Sequence, residues 1–163
     1  MSQKNKYPVT QGIRFLRAAK VPFVEFLYEY EERGGTVVCA RELGVDEHLA
    51  IKTLIMEDEN EAPLIVLMHG DMEVSTKELA RVIGVKTIKP CEPAVANKHS
   101  GYLVGGTSPF GTRHKMPVYM EETILDWPKV YINGGKRGFL VAMDPQDIRE
   151  LLNPVLVKVG IST

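Results

Sequence analysis

The stretch from residue 49 to residue 71, LAIKTLIMEDENEAPLIVLMHGD, decides the fold. It holds two apolar runs, at 49–58 and 63–71, on either side of the acidic segment EDENEA. Short apolar runs rich in β-branched residues and separated by a polar turn are typical of paired β-strands. The stretch therefore predicts a β-hairpin, and the other elements follow it or precede it along the chain.

Short helices and further strands alternate on both sides of this hairpin. Helices are predicted at 10–20, 37–44, 75–84, 92–99 and 144–152. Further strands are predicted at 22–30, 85–89, 117–122, 129–135 and 137–143. The clearest helix signal is a capping box, in which Ser75 precedes Glu78 by three residues and Gly84 ends the helix.

We expect one domain, residues 1–163, of the α+β (mixed α/β) class. The length is sufficient for a hydrophobic core, and 44% apolar with 25% charged residues is typical of globular proteins. The alternation of short helices with about seven strands predicts a mixed sheet or partial barrel with helices outside it.

Charge and cysteine content exclude several classes of protein. A net charge of −1 argues against a DNA-coating protein. The apolar runs are too short to span a bilayer, and we expect no secretory signal at residues 1–8. Two cysteines give no disulfide framework, so we expect free thiols and a cytoplasmic location. Residues 98–137 carry a local excess of +3, which is compatible with an anionic ligand and also with chance.

Lys52 is an unusual residue in the first strand of the hairpin. Strand alternation places it on one face with Leu54 and Met56, while Ile51 and Ile55 lie on the other face. Both faces are therefore largely apolar, and lysine is rarely buried without a partner. Lys52 either lies on an edge strand or extends its apolar stem along the surface to reach solvent. Alternatively, its ammonium points into a cavity and meets an anionic ligand.

The segment 101–111, GYLVGGTSPFG, contains four glycines and a proline. It lacks the spacing of known phosphate-binding loops, and Pro109 directly after Ser108 argues against a serine-hydrolase nucleophile. Two interpretations remain open. The segment is a tight loop whose backbone N–H groups line an anion or ester pocket, or it is simple turn structure.

A second glycine site, NGGKRG at 133–138, lies between two predicted strands. A two-residue Gly-Gly hairpin is the plain structural interpretation. Lys136 and Arg137 would then place two cations beside any pocket, where contact with a phosphate is the natural functional use.

Cysteines and histidines give weaker signals. Cys39 is expected in the core, on a helix face with Leu43. Cys91 precedes the start of a helix, where the pKa of a thiol can be lowered, although Pro90 beside it equally marks a loop. The four histidines are scattered, and none is near a cysteine or carboxylate at ligand spacing, so we expect no metal.

Three segments, taken together, carry a resemblance to a known family. They are I-K-T-L at 51–54, G-Y-L-V-G-G-T-S-P-F-G at 101–111 and V-Y-I-N-G-G-K-R-G at 130–138. In this order and spacing they resemble the YbaK-type aminoacyl-tRNA editing family, whose members include Cys-tRNA(Pro) deacylases. The resemblance extends to the helix at 144–148. It implies a central mixed, barrel-like sheet with flanking helices, and neither a cofactor nor a metal.

The resemblance also implies which residues form the site. The family's invariant lysine corresponds to Lys52, the implied catalytic residue. The implied substrate-binding residues are Tyr28, Gly105, Gly106, Ser108, Gly111, Asn133, Gly134, Gly135 and Lys136. The implied tRNA contacts are Lys98, Arg113 and Arg137. Many cysteine-specific members have serine in place of Asn133 and an acidic or amide residue in place of Leu140, so these departures bear on amino-acid specificity.

The implied function is the removal of cysteine from Cys-tRNA(Pro) that prolyl-tRNA synthetase has mischarged. No convincing base or nucleophile emerges from the residues themselves, so we expect the substrate's own thiol to attack the ester. One alternative is water attack on another mischarged tRNA such as Ala-tRNA(Pro). Another is a non-catalytic module that binds tRNA or a synthetase. The expected partners are mischarged aminoacyl-tRNA(Pro) and prolyl-tRNA synthetase, with neither DNA nor a membrane.

Overall fold

The computed structural model describes residues 6–162. The segment 1–8, where we expect no secretory signal, therefore lies mostly outside the described residues. Within residues 6–162 the α-helices are α1 (Gln11–Ala19), α2 (Gly35–Leu43), α3 (Thr76–Ile83), α4 (Pro93–Ser100) and α5 (Pro145–Leu152), and two short 3₁₀ helices lie at Glu47–Leu49 and Glu122–Asp126. The strands are β1 (Val24–Leu27), β2 (Ala50–Asp58), β3 (Pro63–His69), β4 (Met72–Val74), β5 (Ile88–Pro90), β6 (Val118–Glu121), β7 (Val130–Lys136), β8 (Phe139–Met143), β9 (Val155–Val157) and β10 (Gly160–Ser162). All five predicted helices are confirmed. None of the helices in the described range is long and apolar enough to cross a membrane.

The predicted hairpin is confirmed and lies in the middle of the main sheet. β2 and β3 pair antiparallel from Ile51 opposite His69 to Glu57 opposite Pro63. The sheet has eight strands in the order β1-β8-β7-β2-β3-β6-β9, and β5 pairs with β2. The pairs β2–β7, β3–β6 and β6–β9 are parallel. The expected mixed α/β class with a central mixed sheet is therefore confirmed, with eight strands where about seven are predicted.

Three short strands escape the sequence prediction. β4 and β10 pair in a separate two-stranded sheet, and β9 extends the main sheet beside β6. Each has only three residues, too few to show a period-2 pattern. The last helix, α5, is consequently not the last element of the chain.

The predicted strand at 22–30 is confirmed only for Val24–Leu27. Its partner β8 begins at Phe139, which pairs with Leu27. Beyond that point the N–H of Tyr28 donates to the carbonyl of Gly138 at 2.9 Å, and the chain then leaves the sheet. The strand prediction is wrong for 28–30 because the partner strand ends, although the alternation of side chains continues.

Helix termini follow from local side chains. The hydroxyl of Thr10 accepts from the N–H of Ile13 at the start of α1, and that of Ser75 accepts from the N–H of Glu78 at the start of α3. The predicted capping box forms only in half, because the N–H of Ser75 donates to the carbonyl of Val159. The Glu78 carboxylate instead pairs with Arg81 at 2.5 Å. Each N-cap contributes on the order of 1 kcal/mol to stability.

The two faces of the sheet bury different clusters. Ile51 and Ile55 of β2 face the larger core, which also contains Ile13 and Leu16 of α1. The opposite face carries two smaller clusters, one around Met56, Val66, Met68 and Leu79, the other around Cys39, Ala50, Tyr131 and Leu140. Because Ala50 and Met56 belong to these two clusters, alternation along β2 places Lys52 on the same face, between them.

Candidate functional site

Part of one edge of β2 has no strand partner. β3 covers the other edge along almost the whole length of β2. On the open side, β7 pairs only with Ala50–Ile51 and β5 only with Met56–Asp58. A cavity of about 570 Å³, which we call the main pocket, opens at residues 52–55 between these two partners. Its volume is in the range of small-ligand sites.

The open edge exposes backbone groups to the main pocket. The carbonyl of Ile55 accepts from the N–H of Cys91 at 3.0 Å on this edge. Alternation turns the N–H and C=O of Thr53, two residues earlier, toward the same edge. The buried hydroxyl of Thr53 has no hydrogen-bond partner among the described residues. No strand within residues 6–162 pairs with Thr53 on this edge, so its backbone donor and acceptor face the pocket beside Lys52.

Lys52 lies in a central strand, so the edge-strand interpretation is wrong. Asn133 is opposite Leu140 in the β7–β8 pair, and Ile51 is beside Ile132 in the β2–β7 pair. Lys52 and Asn133 are the next residues along these two strands, just beyond the point where β2 and β7 stop pairing. The row of Leu140, Asn133 and Lys52 across three strands forms one wall of the main pocket, and all three residues line it.

The ammonium of Lys52 is partly buried and forms no ion pair within residues 6–162. Burial lowers the pKa of Lys52 from its ordinary value of 10.5, against the opposite effect of the carboxylates of Glu73, Glu47 and Asp71. These three acids lie on neighbouring segments and not on β2. A cation that loses water without gaining a partner is available to an anionic or polar ligand.

The glycine segment forms a loop between the main pocket and a second cavity. Gly105, whose φ is +93°, lines the main pocket beside Lys52, Asn133 and Arg137. Gly106 lines the second cavity, of about 250 Å³, together with Gly101, Gly135, Lys136 and Arg137. We call this cavity the rear pocket and residues 103–107 the glycine loop. Arg137 lines both pockets.

A bulge in β7 supports the glycine loop. The β7–β8 register shifts between Asn133 and Lys136, and the carboxamide oxygen of Asn133 accepts from the N–H of Gly135 at 2.6 Å and of Lys136 at 3.0 Å. Its amide nitrogen donates to the carbonyl of Gly105 at 3.3 Å. Both ends of the Asn133 side chain thus hold the walls of the pocket together.

The plain interpretation of a two-residue Gly-Gly hairpin at 134–135 is wrong. β7 continues to Lys136, and the turn between β7 and β8 lies at Arg137 and Gly138. The reason is the bulge, which inserts the two glycines into the strand and not into the turn. The N–H of Gly135 is already bonded to Asn133, so it is not a free donor for an ester.

Arg137 is held in a fixed position at the rim. Its Nε donates to the carbonyl of Val104 at 3.0 Å, and its guanidinium lies 5.2 Å from the centre of the Tyr30 ring. Tyr28 and Tyr30 also line the main pocket, since the chain leaves the sheet after β1. The shortened strand therefore supplies two aromatic walls.

Other residues implied by the resemblance lie outside both pockets within the described part of the chain. Ser108 is fully buried, and its hydroxyl accepts from the N–H of Phe110. Gly111 packs against the backbone of Gln11, and Gly134 against the ring of Phe139. Lys98 and Arg113 are exposed, and Arg113 lies against Gly101 at the rear pocket.

Two protein thiols face the main pocket, and neither is ionised at neutral pH. Burial raises the pKa of Cys39 to about 11. Burial and a hydrogen bond to the carboxylate of Glu57 raise the pKa of Cys91 to about 12. The possibility that Cys91 has a lowered pKa is wrong, because burial of the thiol and then the Glu57 carboxylate both raise its pKa.

Several lining residues were not predicted for the site. Thr53, Tyr131 and Leu140 are examples, and each lines the main pocket. Tyr131 could have been found from its spacing, since it shares a strand face with Asn133 two residues later. Within residues 6–162, no group of three histidine, cysteine or acidic side chains could hold a metal ion.

Comparison with known proteins agrees with this geometry. The model of the aminoacyl-tRNA editing domain family matches residues 32–151. A relative from Enterococcus faecalis, named "Putative Cys-tRNA(Pro)/Cys-tRNA(Cys) deacylase EbsC", is 27% identical over 154 residues, which is 94% of each chain. A proline–tRNA ligase from Thermodesulfovibrio yellowstonii is 37% identical over 73 residues, covering 45% of this chain and 12% of that enzyme.

A solved structure shares the fold. The crystal structure described as "a putative trans-editing enzyme for prolyl tRNA synthetase" superimposes with a TM-score of 0.81 at 18% identity. The match covers 96% of this chain and all of the other. At this identity the likeness shows the fold alone.

Proposed function

Because the chain belongs to the aminoacyl-tRNA editing domain family, we propose that it removes cysteine from mischarged Cys-tRNA(Pro). Similarity to the Enterococcus relative supports a deacylase of cysteinyl-tRNA. Similarity to part of a proline–tRNA ligase supports a link to prolyl-tRNA synthetase, whose errors the protein would correct as a separate chain. The site of this activity would be the cytoplasm, where tRNAs are charged.

One observation carries the proposal: the main pocket contains an unpaired ammonium but no activated protein nucleophile among its described lining residues. The thiols of Cys39 and Cys91 have raised pKa values and stay protonated. Ser108 is buried outside the pocket, and its hydroxyl is bonded to the loop backbone. A site of this kind suits a substrate that brings its own nucleophile.

The thiol of the esterified cysteine fits this requirement. An ordinary cysteine thiol has a pKa of about 8.5, so a few per cent is thiolate at neutral pH. The thiolate sulfur bonds to the carbonyl carbon, the bond from that carbon to the ribose oxygen breaks, and the ribose oxygen takes up a proton. The products are a thiolactone and free tRNA, and water then opens the thiolactone to cysteine.

Lys52 and the open edge of β2 have roles that follow from their placement. The ammonium of Lys52 would bind the terminal ribose or its phosphate as a point charge. Thr53 follows it on the open edge, and Gly105 lines the same pocket. These contacts would hold the thiol over the carbonyl carbon, so that less conformational freedom is lost when the two groups react. Prolyl-tRNA would be spared because proline carries no thiol.

A second candidate function is the hydrolysis of Ala-tRNA(Pro) by water. The observation that favours it is the apolar wall of Leu140, Cys39 and Tyr131 in the main pocket. Leu140 is buried and offers no polar group to an amino-acid side chain. A small apolar side chain such as that of alanine would suit this wall.

A deacylation time course separates the two candidates. Cys-tRNA(Pro), Ala-tRNA(Pro), Ser-tRNA(Pro) and Pro-tRNA(Pro) are incubated with the wild type and with Lys52→Ala, and the uncatalysed loss of each ester is subtracted. We expect rapid loss of the cysteine ester only, and none with Lys52→Ala. Equal cleavage of the serine and cysteine esters would refute thiol attack, and preference for alanine would support water attack. Undiminished activity of Lys52→Ala would refute the role of the lysine.

A further inference from the structure

We propose that the rear pocket binds the nucleotide that precedes the terminal adenosine of the substrate RNA, with the connecting phosphodiester at Lys136 and Arg137. Every tRNA ends in the single-stranded sequence C-C-A, so this nucleotide is a cytidine. The inference rests on the proposed function, which places the aminoacylated adenosine in the main pocket.

The placement of the two pockets supports this assignment. Both take residues from the glycine loop, with Gly105 lining the main pocket and Gly106 lining the rear pocket. Arg137 belongs to both. A strand whose end occupies the main pocket therefore reaches the rear pocket by passing Arg137, which is where a phosphate between two nucleotides would lie.

The cations at this boundary are free to bind a phosphate. Lys136 and Arg137 form no ion pair within the described residues, whereas Arg41, Arg81, Lys89 and Lys158 are each paired with a carboxylate. Arg137 is held by the carbonyl of Val104 and by the ring of Tyr30, so its charge is already positioned before a ligand arrives. Phosphate contacts of this kind place a nucleic-acid strand in register.

The walls of the rear pocket suit a sugar or base and not only an ion. Three glycines, Gly101, Gly106 and Gly135, let a ligand approach the backbone closely. Leu103 is 59% exposed at the same cavity and offers an apolar surface for the face of a base. The cavity has less than half the volume of the main pocket, which favours one small unit such as a pyrimidine nucleotide.

Two small esters of the same amino acid test the proposal. One is aminoacyl-adenosine and the other is aminoacyl-cytidylyl-adenosine. We expect kcat/KM to be about tenfold or more higher for the dinucleotide ester, the effect of one charge-assisted hydrogen bond to its phosphate. Lys136→Gln should lower the ratio of the two values by about the same factor.

Lys158→Gln is the matched control. It also removes one positive charge, but Lys158 lies at the end of β9, paired with Glu122, and lines neither pocket. This variant should keep the wild-type ratio. A ratio near one for the wild type, or an unchanged ratio in Lys136→Gln, would overturn the proposal.

If no ester is cleaved, a binding experiment still tests the rear-pocket assignment separately from the proposed deacylase function. Unacylated cytidylyl-adenosine, adenosine and inorganic phosphate are titrated into ¹⁵N-labelled protein, and amide shifts are followed. We expect only the dinucleotide to shift Leu103, Gly106 and Lys136 strongly. This result without hydrolysis would refute the proposed function while supporting the rear pocket. Shifts confined to the main pocket, or equal rear-pocket shifts with phosphate alone, would overturn the nucleotide assignment.

Discussion

Replacing Gly106 by alanine should inactivate the protein without unfolding it. A Cβ at Gly106 would lie 2.5 Å from the backbone nitrogen of Arg137 and 2.8 Å from the carbonyl carbon of Lys136. Ordinary contacts between such atoms are about 3.5–4.0 Å, so the glycine loop must move by about 1 Å. Both opposing atoms belong to the backbone of the β7–β8 connection, which cannot rotate away as a side chain would.

This movement should break contacts at the pocket and leave the packing of the core unchanged. The displaced loop would lose the hydrogen bonds from Asn133 to Gly105 and from Arg137 to Val104, each worth about 0.5–1.5 kcal/mol at most. Residues 103–105 are exposed, so the loop can move outward. A misplacement of about 1 Å in a catalytic site can reduce the rate by about 10²-fold. We therefore expect kcat/KM to fall by about two orders of magnitude.

The assay pairs kinetics with thermal unfolding, and Gly84→Ala is the control. Gly84 ends α3 with a φ of +89° and has open space around its Cα, away from both pockets. Alanine there costs about 1–2 kcal/mol through its left-handed conformation, which lowers Tm by several degrees (about 2–4 °C per kcal/mol). Gly106→Ala should lose activity and keep most of its Tm, and Gly84→Ala should do the reverse. Wild-type kcat/KM in Gly106→Ala would refute the reasoning, and so would global unfolding of that variant.

Three further predictions address the ammonium, the thiol and a helix cap. If the charged form of Lys52 is required, kcat/KM should fall as the pH rises through its pKa, which burial places below 10.5. Lys52→Arg should abolish this alkaline fall after spontaneous hydrolysis is subtracted, since arginine stays charged up to about pH 12, and a fall that persists would contradict the assignment. Cys91, with a pKa of about 12, should react with iodoacetamide far more slowly at pH 7.5 than a free cysteine, as counted by mass spectrometry, and rapid modification would show a lower pKa. Ser75→Ala should lower the free energy of unfolding by about 1 kcal/mol in urea while leaving kcat/KM unchanged, and no loss of stability would mean that the cap contributes nothing.

The elements that the sequence predicted are those held together by local interactions. The β2–β3 hairpin depends on two neighbouring runs and the turn between them, and the start of α3 depends on Ser75 and its own first turn. Each can be recognised in a window of a few residues. The candidate site is different, because Lys52, Gly105 and Asn133 come from three distant segments. The sequence assigned them to one site only because the three segments together resemble a known protein family.

The ends of strands could not be predicted, because a partner strand fixes them. The alternation of side chains runs through Tyr28 and Tyr30, yet β1 stops at Leu27, where its partner β8 starts. The start of β8 in turn depends on the bulge at Asn133, since the bulge moves the β7–β8 turn to Arg137 and Gly138. The placement of Tyr28 and Tyr30 at the pocket therefore depends on a bulge that lies about a hundred residues further along the chain.

The main pocket itself arises from a mismatch in strand length. β2 has nine residues, and its open edge is shared by β5, with three, and by β7, which pairs with it at only two positions. Asn133 follows the last residue of β7 that pairs with β2, and its side chain accepts hydrogen bonds from the backbone of the bulge. The same side chain donates to Gly105, so one residue at the end of the β2–β7 pairing also binds the glycine loop. Asparagine makes these contacts with separate oxygen and nitrogen atoms, whereas a serine there would have to accept from the bulge and donate to the loop through one hydroxyl oxygen.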